Sequence, residues 1–145
     1  MPGDARCFLQ SRLPDVQMIS QILCIAVAIY FEAANQPYAG KIAIGNVVMN
    51  RVADSRYPDK PCDVVHQGTL FKFKCQFTFW CDGKPEQVLD DDVMSDCWKA
   101  AIISYNRVID ASLGATHYHE KDASPAWALD ENITIKIEDH VFYKL

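Results

Sequence analysis

Glycine is scarce in this chain, six residues in 145, and none sits in a phosphate-binding loop pattern, which removes the usual nucleotide-binding signatures. Positive charge is also short: 14 Lys and Arg against 19 Asp and Glu leave a net charge of -5. Nucleic-acid binding normally leaves a basic footprint, so no nucleic-acid partner is expected. No Pro/Gly/Ser-rich linker, internal repeat or low-complexity tract divides the chain. With half its residues hydrophobic and 23% charged, it reads as one ordered domain over 1–145, able to bury about two-thirds of its unfolded surface. There is no GxSxG elbow and no recognisable catalytic-cysteine context. The six cysteines, at positions 7, 24, 62, 75, 81 and 97, lack the paired CxxC units of a structural zinc site. No cofactor and no metal are expected.

An export signal is missing too. Asp4 and Asp15 offset Arg6 and Arg12, and Glu32 stands where a small-residue cleavage site belongs. The strongly apolar part of the N-terminal region, Ile22 to Phe31, is shorter than the about 20 residues needed to span a bilayer, so no stable membrane insertion is expected. The chain reads as made in a cytoplasm or released by another route.

What is present begins with a run of 16 uncharged residues, Val16 to Phe31, closed by the single carboxylate of Glu32. This predicts a helix starting near Pro14 and apolar nearly all round from Ile22 to Phe31, as in a helix surrounded by protein. Asn35-Gln36-Pro37 ends it and opens a second helix, "YAGKIAIGNVVMNRVADS", with Ile44, Val47, Val48 and Val52 on one face and two glycines that permit close packing. Residues 57–92 are irregular. A third helix, "VMSDCWKAAIISYNRVIDAS", carries a predicted core stripe of Met94, Cys97, Trp98, Ala101, Ile102, Tyr105, Val108 and Ile109. The end, "ATHYH" and "ITIKIEDHVFYKL", predicts strands with a hairpin turn at Glu138-Asp139. This order implies an α+β fold, mostly helical with a small sheet. Cys24 reads as a buried small hydrophobe, and Cys62, Cys75 and Cys81 as candidates for a bridge.

Glu32 admits two readings. It is a solvated helix end, or an acid whose desolvation and position at a helix C-terminus raise its pKa so that it can donate a proton. His117 and His119 share one side of a strand, with His140 on the next. They either hydrogen-bond in a polar groove or ligate a metal. Phe71, Phe73, Phe77, Phe79, Trp80 and Trp127 are either core or rings on which sugars stack.

Four blocks in order resemble the SleB-like cell-wall hydrolases, a family that includes spore-cortex-lytic enzymes and related phage and proteobacterial proteins. They are "AIYFEAANQPYAGKIAIGNVVMNRV", "CDVVHQG" with "CQFTFWCDG", "GATHYHEKDASPAWA" and "IKIEDHVFYKL". The resemblance implies a lysozyme-like, lytic-transglycosylase-type fold acting on peptidoglycan glycan strands, with Glu32 as the catalytic acid. It places Gln76, Phe77 and Thr78 in the groove, and Thr116, His117, Tyr118 and His119 as glycan contacts, with Trp127 beside them. Two departures stand out: Ala33-Ala34 replaces a common Ala-Arg after the acid, and a glycine common before the final His block is absent near Glu138-Asp139.

The implied reaction is cleavage between N-acetylmuramic acid and N-acetylglucosamine by a monomeric lytic transglycosylase that needs one acid. A hydrolysing muramidase needs a second carboxylate, for which Asp63 and Asp82 are the candidates. A metal-dependent amidase using His117, His119 and His140, and a non-catalytic glycan-binding module, remain rivals. Six Lys and Arg between Lys41 and Lys74 against three Asp are expected to face the anionic wall. Starting at Met1 with no export signal and no wall-binding repeat, the chain resembles a compact phage lysin more than a secreted bacterial enzyme, and is expected to act on the cell wall or periplasmic peptidoglycan.

Overall fold

The computed structural model describes residues 5–67, 77 and 88–145, with side chains from residue 16 onward. Among them are α1 (Ala5–Ala33), α2 (Tyr38–Val52), α3 (Pro61–Val65), α4 (Asp91–Tyr105), β1 (His117–Glu120), a 3-10 turn (Asp130–Asn132), β2 (Ile133–Ile137) and β3 (His140–Tyr143). The strands form one antiparallel sheet in the order β1-β3-β2. The α+β expectation and the Glu138-Asp139 hairpin turn both hold.

The core lies where α1, α2 and α4 meet. Ile25, Ala26, Ala28 and Ile29 of α1 pack with Ile44, Val47 and Val48 of α2 and Cys97, Ala100 and Ala101 of α4, all without exposed surface. Small residues set the spacing of α2 and α4. A Cβ on Gly45 would lie 2.8 Å from Ser104 Cβ, so only glycine allows this approach. The inner face of the sheet, with Phe142, Ile135 and Ile137, closes over the helices.

Several local expectations are corrected. Helix α1 opens at Ala5, so Pro14 lies inside it rather than at its start. It is not enclosed all round: Val16, Ile19 and Leu23 are 58%, 51% and 46% exposed, and the apolar face is buried mainly on the Ile22–Ile25–Ile29 side. The apolar segment also extends beyond Ile22 to Phe31, since Val16–Ala33 is long and apolar enough by composition to cross a membrane. Its inner side is nonetheless the core of this domain. Residues 57–92 are not all irregular, because Pro61 opens the short helix α3. Helix α4 stops at Tyr105, and Val108 and Ile109 are 68% and 53% exposed. The buried positions of α4 are the small residues Cys97, Ala100, Ala101 and Ser104, because close approach to α2 leaves no room for the larger ones.

Cys24 is not a lone hydrophobe. It is joined to Cys62, with Cα atoms 5.2 Å apart, and ties α1 to α3. Cys75 and Cys81 lie outside the described residues, and Cys97 is a buried free thiol. Lys41 and Arg51 are 8% and 4% exposed, and Arg56 pairs with Asp54. Lys41 and Arg51 therefore do not contribute to a wall-facing surface, whereas Arg56 and Lys60 are exposed and Lys72 and Lys74 lie outside the described residues. Lys41 instead donates to the Gln36 carbonyl at 2.5 Å, placing a cation just past the C-terminal end of α1.

Candidate active site

Glu32 occupies the last turn of α1, half-buried, and its position is fixed from two directions. On one side Tyr118 of β1 donates its hydroxyl to Glu32 Oε2 at 2.8 Å. On the other, Gln36 just beyond α1 clasps the β2–β3 turn: its Nε2 donates to Asp139 Oδ2 at 2.9 Å, and the Asp139 amide donates to its Oε1 at 3.2 Å. The hairpin is thereby held against the helix end that carries the acid.

Helix α2 positions Tyr118 through a row of polar grips near its C-terminal half. Asn46 donates to the Ile109 carbonyl and accepts from the Ala111 amide, each at 2.8 Å. Asn50 donates to the Ala115 carbonyl at 2.8 Å, and Arg51 Nε donates to the Thr116 carbonyl at 2.7 Å. The Asn-Arg ending of α2 thus fixes the segment that leads into β1. The Arg51 guanidinium lies 5.0 Å from the Tyr57 ring centre and 5.8 Å from that of Phe77. Phe77 in turn packs against Tyr118, ring centres 6.4 Å apart.

The electrostatics follow from burial. Desolvation raises the Glu32 pKa, the Tyr118 hydrogen bond pulls it back, and the charge of Glu120 raises it further; the net direction is up. Burial, and then the neighbouring Glu32 charge, push the Tyr118 hydroxyl well above the ordinary phenol value, so it stays a donor. Burial lowers the Arg51 pKa, but a guanidinium remains charged at neutral pH.

Strand alternation divides the expected site residues into two groups. Tyr118 and Glu120 share the inner face with their cross-strand partners Phe142 and His140. His117 and His119 point the other way, into a cluster with Trp127 and Tyr143. Trp127 lies 5.1 Å from the His117 ring, 5.9 Å from that of His119 and 5.3 Å from that of Tyr143. His119 Nε2 bonds the Tyr143 hydroxyl at 2.8 Å. Burial, helped by the charges of Arg51 and Arg56, lowers His117 to about 4, so it is neutral at physiological pH. The three histidines do not converge, because the buried His140 lies on the Tyr118 side, ring centres 5.5 Å apart. Among the described residues no group of three His, Cys, Asp or Glu is placed to hold a metal.

Thr116 and Phe77 are buried, 5% and 1% exposed: Phe77 packs against Tyr118, while the Thr116 hydroxyl meets His117 Nδ1 and the Leu145 amide. Gln76, Thr78 and Asp82 lie outside the described residues. Asp63 is exposed in the first turn of α3, away from the walls around Glu32.

Those walls form a polar cleft of about 210 Å³. Four carboxylates line it, from Glu32, Glu120, Asp122 and Asp139, together with Gln36, His140 and the cation of Lys121. Lys121 is bound to Asp139 at 2.8 Å. A larger hollow of about 570 Å³, near Met18, Met49 and Tyr105, contains none of the residues expected to act. Sequence reasoning missed Glu120, Gln36 and Asp139. The signal for Glu120 was its strand parity with Tyr118; nothing local announced the other two.

The helices with their small antiparallel sheet match the fold of SleB catalytic domains. The chain is similar to the catalytic domain of the germination-specific lytic transglycosylase SleB from Bacillus anthracis, with a TM-score of 0.67 and 26% identity, covering 86% of this chain and 93% of that one. It is likewise similar to the catalytic domain of the Bacillus cereus SleB protein, with a TM-score of 0.64 and 26% identity, over 86% and 89%. The chain belongs to the cell wall hydrolase family, whose model matches residues 35–143. Glu32 falls just before that segment. Curated relatives include spore cortex-lytic enzymes of Halalkalibacterium halodurans, 27% identical over 88% of this chain, and Oceanobacillus iheyensis, 25% identical over 86%. The chain spans 34% and 42% of their respective lengths. A phage origin has no support among these relatives.

Proposed function

We propose that this chain cleaves peptidoglycan glycan strands between N-acetylmuramic acid and N-acetylglucosamine as a lytic transglycosylase, with Glu32 as acid and then base. The observation that carries this reading is the half-dry Glu32 carboxyl, its pKa raised, held by Tyr118 beside an open polar cleft. The likeness to a catalytic domain described as a lytic transglycosylase supports it.

In the first step protonated Glu32 gives its proton to the glycosidic oxygen as the bond to the muramic C1 breaks. The amino sugar leaves with a free hydroxyl, and positive charge develops on the muramic ring. In the second step the Glu32 carboxylate takes the proton of the muramic C6 hydroxyl as that oxygen bonds C1. The product is a 1,6-anhydro end and no water is consumed. Tyr118 serves both steps: its hydroxyl holds the carboxyl in place and stabilises the charged form between them. The Cys24–Cys62 bridge suits an oxidising compartment, in keeping with action on the wall outside the cytoplasm.

One observation favours a second reading. Glu120 shares the cleft with Glu32, and a pair of carboxylates is what a hydrolysing muramidase requires. The test is Glu32→Gln together with mass analysis of soluble muropeptides. The variant should lose lysis while keeping its fold. Wild-type products should carry anhydro ends, lighter by one water than hydrolysis products. Reducing muramic ends would turn the assignment to hydrolysis, and free stem peptides would remove the glycan reading altogether.

A further inference from the structure

We propose that Glu120 is a second substrate-facing carboxylate of the same reaction, whose negative charge stabilises the positive charge that develops on the sugar ring as the glycosidic bond breaks. The inference rests on the assignment of Glu32 as the acid.

Position comes first. Glu120 follows Tyr118 by two residues on β1, so both point from the inner face of the sheet toward the end of α1. Tyr118 reaches Glu32 directly, and Glu120 lines the cleft into which Glu32 opens. It is exposed there, ready to meet a ligand.

Compensation comes second. Among the described residues, the Glu120 carboxylate has no hydrogen bond and no ion pair. Asp139, by contrast, is occupied by Gln36 and Lys121. His140, directly across the ladder from Glu120, does not neutralise it: burial lowers the imidazole pKa and leaves it uncharged at neutral pH. Lys121 is already committed to Asp139.

Reach comes third, and it separates Glu120 from Asp122, the other unpaired acid of the cleft. The Glu120 charge acts on Glu32, on Tyr118 and on His140. The Asp122 charge acts on Lys121 and on none of those three. An uncompensated anion lining the same cleft as the acid suits a transition state of oxocarbenium character, where charge appears on the ring at the moment the acid loses its proton.

The groups facing Glu32 are Tyr118 and Glu120 from β1, Asp139 and His140 from the hairpin, and Lys121 and Asp122 beyond β1, with Arg51 of α2 behind Tyr118. Of these, Glu120 raises the Glu32 pKa and Tyr118 lowers it. Removing the Glu120 charge therefore lowers the pH above which Glu32 is ionised and unable to act as an acid.

The experiment measures initial muropeptide release from purified peptidoglycan by wild type, Glu32→Gln, Glu120→Gln and Glu120→Asp, across pH and substrate concentration. Glu120→Gln should lower kcat by roughly 10- to 100-fold, with KM little changed and the alkaline limb of the pH profile moved to lower pH. Glu120→Asp should recover part of the rate. Unchanged melting of both variants excludes misfolding. If Glu32→Gln is dead while Glu120→Gln keeps the wild-type rate and limb, this proposal alone is overturned. A rise in KM with kcat intact overturns it too, since Glu120 would then only bind. If Glu32→Gln stays active, the assignment of the acid falls, and this inference with it.

Discussion

Tyr118 and Glu32 are 86 positions apart in the chain, yet the phenol donates to the carboxylate at 2.8 Å. That contact joins the sheet to the end of the central helix, and it opposes the desolvation that lifts the pKa of the acid. The site therefore holds two opposed influences on one proton. Burial and the Glu120 charge favour the protonated form, while Tyr118 favours the carboxylate, and the proposed acid-then-base role of Glu32 would use both.

Replacing Tyr118 with Phe removes the influence that lowers the Glu32 pKa. The acid then stays protonated to higher pH, so the alkaline limb of the activity profile should move up. The maximal rate should fall, because the carboxylate formed in the first step loses its partner. Glu120→Gln moves the same limb the opposite way. A pH–rate series on both variants checks the pair, and a Tyr118→Phe limb that stays put or moves to lower pH would falsify the role given to the hydroxyl.

Glu32 should also cost the fold some stability. Its pKa is raised in the folded protein above the ordinary carboxyl value of 4.5. The folded state therefore binds the proton more tightly than the unfolded chain. The stability that goes with this is fully present below the unfolded pKa and is lost as pH rises through the folded one. Glu32→Gln does not ionise, so it should be more stable than wild type at pH 7 and melt at a higher temperature. The gain should shrink to nothing near pH 4. Thermal melts at both pH values test this, and a variant less stable than wild type at pH 7 would refute the desolvation account.

How much of this was legible depends on whether the signal was local. The second helix reads correctly because Ile44, Val47 and Val48 recur at helical spacing and all three are buried. The hairpin was readable from β-branched and aromatic residues on either side of Glu138-Asp139. The absent glycine there is a real departure: Glu138 takes a positive φ of 45°, in the region where glycine is at ease, and the turn forms regardless. Tyr118 was named from the resemblance, but its contact with Glu32 is a long-range fact. The α4 stripe held at Met94, Cys97, Trp98, Ala101 and Tyr105 but failed at Ile102, Val108 and Ile109, because hydrophobicity ranked them above Ala100 and Ser104, whereas the close approach at Gly45 selects for small size. Gln36 and Asp139 carry no local signal at all. Each looks like an ordinary turn residue until the fold sets one against the other.

The Cys24–Cys62 bridge was legible at one end only, with Cys62 a bridge candidate and Cys24 read as a buried hydrophobe, and it leads to a prediction about where the domain can work. The bond closes a sequence separation of 38 residues, from the middle of α1 to the first turn of α3. Loop-closure entropy for that length gives about 3 to 4 kcal/mol of stabilisation. Reduction, or a Cys24→Ala/Cys62→Ala double variant, should therefore lower Tm by roughly 10 °C. Activity at 25 °C should persist, because Glu32 lies two helical turns beyond Cys24 and is held by Tyr118 rather than by the bridge. The reduced form should then lose activity first at elevated temperature. Parallel melts and muropeptide-release assays with and without reductant check both statements. Lost activity at 25 °C with the fold intact would show that the bridge shapes the cleft, and an unchanged Tm would show that it contributes nothing to the stability of the domain.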